Sequence, residues 1–200
     1  SSAASDVYKR QGPEPNGIYN PLEGDFPIIE IRGCDQPTFP DEMIFWIYND
    51  HGGGQPHANT LGSAIQMEVQ VQAFGYKTND ELNDMTFQRY KLINRAPESI
   101  DSTFFAMWID PDLGCSDDDY VGCDTSRSLM YVYNQDAADG NPGCTCASGA
   151  GSTTYCEDIP ILGVDYFRGP LDTSYTIIET IGGVTTARDT FIEIGMSAFT

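Results

Sequence analysis

Polar and apolar residues alternate with a period of two along much of this chain, and that pattern predicts β-strands. The clearest case is residues 65–76. Ile65, Met67, Val69, Val71 and Ala73 fall on one side and Gln66, Glu68, Gln70 and Gln72 on the other, so a strand with one buried and one wet face is expected. Residues 27–32 and 43–48 are shorter apolar runs closed by Gly33 and by Asn49-Asp50, both turn signals. Residues 79–84 predict a connector or one helical turn, after which 85–93 alternate again through Phe87, Arg89, Lys91 and Ile93. A more thoroughly apolar strand is expected at 103–109, another at 129–133, and weaker ones at 161–167, 175–181 and 191–196. No window of a dozen residues carries a 3.6-residue period, and 20 Gly with 12 Pro punctuate the segments. The expectation is an all-β chain, an antiparallel β-sandwich or jelly roll with long loops, forming one domain over residues 12–200. The Gly/Cys-rich stretch 136–156 is longer than an ordinary loop, so it is expected to be stapled or functional.

Residues 1–11, Ser-Ser-Ala-Ala-Ser-Asp-Val-Tyr-Lys-Arg-Gln, stand apart. They resemble the in-frame translation of a transposase-based sequencing adapter, a string found at the ends of reading frames from environmental DNA, and are set aside from fold reasoning. The chain stops at Thr200 directly after an apolar alternation. It is therefore read as a piece cut from a longer protein at both ends.

Charge narrows the choice of partners. The chain carries 30 acids against 10 bases, a formal charge of −20. Without Asp6, Lys9 and Arg10 of the adapter-like segment, 29 acids face 8 bases, a charge of −21. Nucleic acid is not an expected partner, because phosphate recognition needs clustered cations. Anionic membrane surfaces are disfavoured for the same reason, and no apolar run approaches the roughly 20 residues of a spanning helix. With 12 % aromatic and 40 % apolar residues, this is not a disordered acidic tail either.

Six cysteines stand at 34, 115, 123, 144, 146 and 156, with no Cys-x-x-Cys and only two histidines. Zinc-site and thioredoxin-like spacings are absent, and the even count favours disulfides and an oxidising compartment. The pairing is open. Cys115 with Cys123, and Cys156 with Cys144 or Cys146, would each close a loop.

The most specific feature is the run from 108 to 124, in which Asp110, Asp112, Asp117, Asp118, Asp119 and Asp124 fall within fifteen residues. Crowded carboxylates repel one another, and a bound hard cation turns that repulsion into attraction. Calcium suits this set, because it accepts six to eight oxygen ligands in flexible geometry, including the backbone carbonyls that Gly114 and Gly122 present readily. Helix-loop-helix calcium spacing fails, since the twelfth position from Asp110 is Val121 rather than Glu. A solvated acidic loop whose aspartates cap its turns is the plain alternative, and a catalytic role a remoter one. Asn134, Asp136 and Asp139 form a second acidic turn able to supply ligands to the same ion.

Several stretches carry a resemblance. They are 64–94 with its Thr78-Asn79-Asp80-Glu81 and Tyr90-Lys91-Leu92-Ile93-Asn94, 107–114 (Met-Trp-Ile-Asp-Pro-Asp-Leu-Gly), 118–124, 128–134 and 163–170. They are similar to a family of large Bacteroidetes surface proteins of unassigned function, whose members typically end in a type IX secretion sorting domain. The resemblance covers most of 12–200 and implies export to the cell surface or medium. It implies no activity.

Catalytic motifs fail on inspection. Residues 50–54 (Asp-His-Gly-Gly-Gly) look like an oxyanion-hole loop, but no Gly-x-Ser-x-Gly elbow accompanies them. His57 could pair with an aspartate as a general base, although a lone loop histidine is usually a polar surface residue. Trp46, Trp108, Tyr131, Tyr133 and Tyr166 could form a sugar-stacking platform or belong to the core. The expectation is a non-catalytic, exported or surface-displayed module with a structural calcium ion, serving adhesion or scaffolding, with glycans or other surface proteins as partners. The alternatives are a carbohydrate-binding module and a fragment of a secreted hydrolase.

Overall fold

The computed structural model describes residues 8–10, 22, 25–27, 30–31, 34–35, 40–51, 57–140, 143–146, 153–181 and 184–199. Among these the chain is all-β, as the alternation predicts. Every strand pair is antiparallel, and the named helical elements are 3-10 turns at Glu81–Asp84 and Ser116–Asp118. Of the adapter-like segment only Tyr8–Arg10 is described, as strand β1, paired with β2 (Asp25–Pro27). Strands β3 (Glu30–Ile31) and β4 (Cys34–Asp35) form a second small pair. The chain divides into two compact units, Ser1–Phe105 and Ala106–Thr200, each described by itself.

The first unit is built on β5 (Glu42–Asn49), β6 (Met67–Gly75) and β7 (Thr86–Asn94), with β6 in the centre. The expected connector at 79–84 is a 3-10 turn whose Asp80 side chain accepts from Leu82 N at 3.2 Å. At one end of the sheet Phe74 stacks on Phe87 at 5.5 Å, and Tyr76 meets both rings edge-on at 6.0 Å. Val71, in the middle of β6, is wholly buried.

The wet face expected for β6 is overturned. Gln70 and Gln72 are only 2 % and 1 % exposed, and Glu68 is buried beside them. A central strand has neighbours on both sides, and here its polar face is dry because it carries its own partners. Arg95 grips Glu68 through Nε and Nη2 at 3.2 Å each, Gln70 donates to Glu68 at 2.8 Å, and Arg89, directly opposite on β7, donates to Gln72 at 3.3 Å. The apolar members of edge strand β5 are in part exposed, including Ile44, Trp46 and Tyr48.

In the second unit β8 (Asp119–Asp124), β9 (Leu129–Asn134) and β10 (Leu162–Asp165) form a sheet in the order β10-β9-β8, with Val132 buried at its centre. Strands β11 (Leu171–Ile181) and β12 (Val184–Glu193) make a long hairpin. The weak strand expected at 191–196 therefore begins and ends earlier. The strand expected at 103–109 does not form. Phe104 and Trp108 are 87 % and 82 % exposed, and among the described residues no ladder partner receives this run. Apolar content makes a strand only where a neighbour completes its backbone hydrogen bonds. Conversely, β8 lies inside the stretch read as an acidic loop, because its terminal aspartates masked the short alternation between them.

Candidate metal centre

The described residues between Leu113 and Cys156 are tied together by two disulfides and by carboxylates that accept backbone N–H groups. Cys115 bridges Cys144, and Cys146 bridges Cys156. The pairing of Cys115 with Cys123 that loop closure suggested is thus overturned. Cys123 sits within β8 as an exposed free thiol, while Cys115 precedes the 3-10 turn at Ser116–Asp118 and is buried. The other suggestion, Cys156 with Cys146, is what the structure has.

Between the two bridges lie two fully buried carboxylates, Asp118 and Asp139, both with zero exposure. Asp139 is a hub. Its Oδ1 accepts from Cys115 N at 2.9 Å, its Oδ2 from Tyr155 N, and its own N donates to Cys156 O at 2.7 Å. Asp118 Oδ2 accepts from Gly140 N at 2.9 Å, whereas its Oδ1 is buried with no hydrogen-bond partner. The two side chains present oxygens within 4.8 Å of each other. Gly114 makes the close packing feasible: its φ of +84° suits glycine, and a Cβ there would run into the Asp139 carboxylate and stand 2.9 Å from the Tyr155 ring.

Asp119, the first residue of β8, accepts from Leu113 N at 2.8 Å through Oδ2 and leaves Oδ1 buried and unpartnered. Asn134, opposite Asp119 in the β8–β9 register, donates to Asp136 O at 3.2 Å and likewise leaves Oδ1 without a donor. Three buried acceptor oxygens are therefore unsatisfied within one small region, a situation folded proteins rarely tolerate. Among the described residues no Lys, Arg or His side chain pairs with Asp118, Asp119 or Asp139. Two ionised carboxylates with oxygens within 4.8 Å of each other repel by about 3 kcal/mol or more at an effective dielectric near 20, so the pair calls for positive charge. Cys115 and Cys144 also lie close to Asp117, and Cys115 to Asp118 and Asp139, but their sulfurs are oxidised and cannot act as thiolates. The donors left are oxygens, which suit a hard cation.

The remaining aspartates of the run are placed elsewhere. Asp110 and Asp112 are exposed and make no side-chain hydrogen bond or ion pair with described residues. Asp117 is exposed and packs beside Gly143. Asp124 lies at the far end of β8, where it caps the 125–128 turn. Its carboxylate accepts from Ser126 Oγ and N at 2.6 and 3.1 Å and pairs with Arg127 at 2.6 Å. The Ser126 bond leads, burial opposes, and the Arg127 bond and charge add to hold Asp124 below the usual carboxylate range. Asp139 entered the sequence reading only as a second-rank ligand. The signal that would have raised it is its Gly140 neighbour in a Cys-rich loop, where a buried carboxylate is the ready partner for stray N–H groups.

Two other features of the sequence reading find places. His57 Nε2 does meet an aspartate, Asp50, at 3.1 Å, beside an open concavity lined by His57, Ala58, Asn59 and Thr60. Asp50 also accepts from Ile65 N at 2.6 Å and Met67 N at 2.9 Å. Burial works against its charge, yet the bonds from Ile65, His57 and Met67 prevail and hold it below the usual range. With both oxygens engaged by backbone, Asp50 acts as a loop clasp. Gly52 to Gly54 of the oxyanion-like motif lie outside the described residues. Of the aromatics, Tyr131 and Tyr133 on β9 stand 5.9 Å apart, with Tyr120 of β8 6.0 Å from Tyr133, and Trp108 is largely exposed.

No protein-family model, curated protein or solved structure matches this chain. The described residues contain no helix long and apolar enough to cross a membrane.

Proposed function

We propose that the chain is a non-catalytic all-β module of an exported protein, in which calcium bound at Asp118 and Asp139 completes the 113–156 lobe. The observation that carries this reading is the buried Asp118–Asp139 pair, which holds one unpartnered carboxylate oxygen and faces no cationic side chain. Asp119 and Asn134 carry two further buried oxygens without a hydrogen-bond donor. Two disulfides are compatible with an oxidising, extracellular setting. The resemblance to Bacteroidetes surface proteins supports the same setting, in which adhesion or scaffolding is the role we propose. The exposed Trp108 favours a second reading, glycan binding, which binding to a glycan array that is lost in Trp108→Ala would support.

Thermal melts in calcium and in EDTA test the ion. At 100 times its dissociation constant, calcium adds about 2.7 kcal/mol of stability. Asp118→Asn and Asp139→Asn abolish the difference, whereas Asp110→Ala and Asp112→Ala keep it. Equal melting temperatures of the unaltered protein in both solutions would sink the ion claim.

A further inference from the structure

The two disulfides and the carboxylate pair share one hydrogen-bond system, and this suggests a regulation of the site that rests on the calcium reading above. Each bridge has at least one cysteine tied to the pair. Cys115 N donates directly to Asp139, and Cys156 O accepts from Asp139 N, with Tyr155 N beside it on the other Asp139 oxygen. Cys144 N donates to Gly140 O at 3.1 Å, and Gly140 N donates to Asp118. Asp118 itself is fully buried and keeps one carboxylate oxygen without a hydrogen-bond partner, so the cluster is more than a patch of surface acidity.

We propose that calcium binding and the oxidation state of Cys115–Cys144 and Cys146–Cys156 are thermodynamically linked. The bridges hold Asp118 and Asp139 at ligand spacing, and the ion in turn holds the bridges closed. Opening a bridge frees the chain on either side of Asp139, and the two carboxylates then relax apart. Coupling between sites is reciprocal, so whatever factor calcium loses on reduction, reduction loses in calcium. The lobe thereby becomes a lock that closes only where thiols are oxidised and calcium is plentiful.

Dithiothreitol supplies the test. Reducing one bridge transfers two electrons and two protons from the dithiol, which leaves as its cyclic disulfide, and yields two cysteine thiols. Released thiols are alkylated and located by mass spectrometry, with exposed Cys123 as an internal reference that reacts in every sample. At equilibrium in mixtures of reduced and oxidised dithiothreitol, saturating calcium is expected to raise the ratio of reduced to oxidised reagent needed to open both bridges about tenfold or more relative to EDTA, and calorimetric titration of the reduced protein to give calcium affinity about tenfold weaker or worse. Asp139→Asn is expected to remove that difference. Calcium binding to the oxidised protein with equal reduced fractions in calcium and EDTA overturns the linkage and leaves the ion site standing. Failure of the oxidised protein to take up calcium overturns both. The equilibrium comparison needs no variant, so misfolding of Asp139→Asn leaves the test intact.

Discussion

The β5–β6–β7 sheet and the 113–156 lobe solve the same problem by different means. In the sheet, the backbone of β6 is satisfied on both sides by ladders, and charged side chains are free to pair with one another, as Glu68 does with Arg95. In the lobe, the segments flanking the β8–β9 ladder have no strand partner, and the carboxylates of Asp118, Asp119 and Asp139 accept backbone N–H groups there that would otherwise be orphaned. The difference teaches that acidity has two meanings in one chain. On a regular scaffold an aspartate or glutamate is a charge to be matched by arginine. At Asp118 and Asp139 it stands in for a missing ladder partner, and among the described residues no cationic side chain answers its charge.

The comparison breaks most visibly at Gly114. Gly114→Ala places a side chain at positive φ and against Asp139, and is expected to destabilise the lobe by about 3 kcal/mol. Hydrogen exchange is the appropriate readout, with protection falling around 113–156 and unchanged in β6. Val71→Ala is the converse. It opens a cavity in the centre of the sheet at about 2 kcal/mol, lowering protection in β5, β6 and β7 while sparing the lobe.

Glu68→Gln sharpens the point about paired charge, at about 2 kcal/mol near neutral pH. The Arg95 hydrogen bonds lead, with burial opposing, and hold the Glu68 carboxyl below its usual range. A depressed carboxyl contributes stability that is present above its unfolded value, about 4.3, and is lost as pH falls through the lower folded value. The unaltered protein should therefore lose stability below about pH 4.3 relative to Glu68→Gln, as followed by acid titration of the melting temperature. The smallest effect belongs to Arg127→Ala. Its partner Asp124 keeps its bonds to the 125–128 turn, and the exposed pair is screened by water, so no measurable change in melting temperature is expected.

The sheet was largely legible because its information is local. The alternation from Met67 to Ala73 and from Phe87 to Ile93 places β6 and β7 without knowledge of anything distant. What alternation could not reveal is that Gln70 and Gln72 are dry, since the arginine that meets Gln72 is seventeen residues away. The lobe was less legible for the same reason carried further. Asp139 meets Cys115 across twenty-four residues and Cys115 meets Cys144 across twenty-nine, so neither contact leaves a periodic trace. Density of aspartate pointed to Asp118 and Asp119, whose carboxylates the fold draws inward, but equally to Asp110, Asp112 and Asp124, which it sends elsewhere.

The polar stripe along β6 also guards against mistakes during folding. An apolar central strand can slide by two residues and still bury an apolar face. Here a shifted pairing would carry Gln72 away from Arg89, which it faces directly in the native ladder, and strand a buried amide. Misaligned partners are penalised at once, so the side chains that make β6 look unsuited to a core are what restrict it to a single alignment.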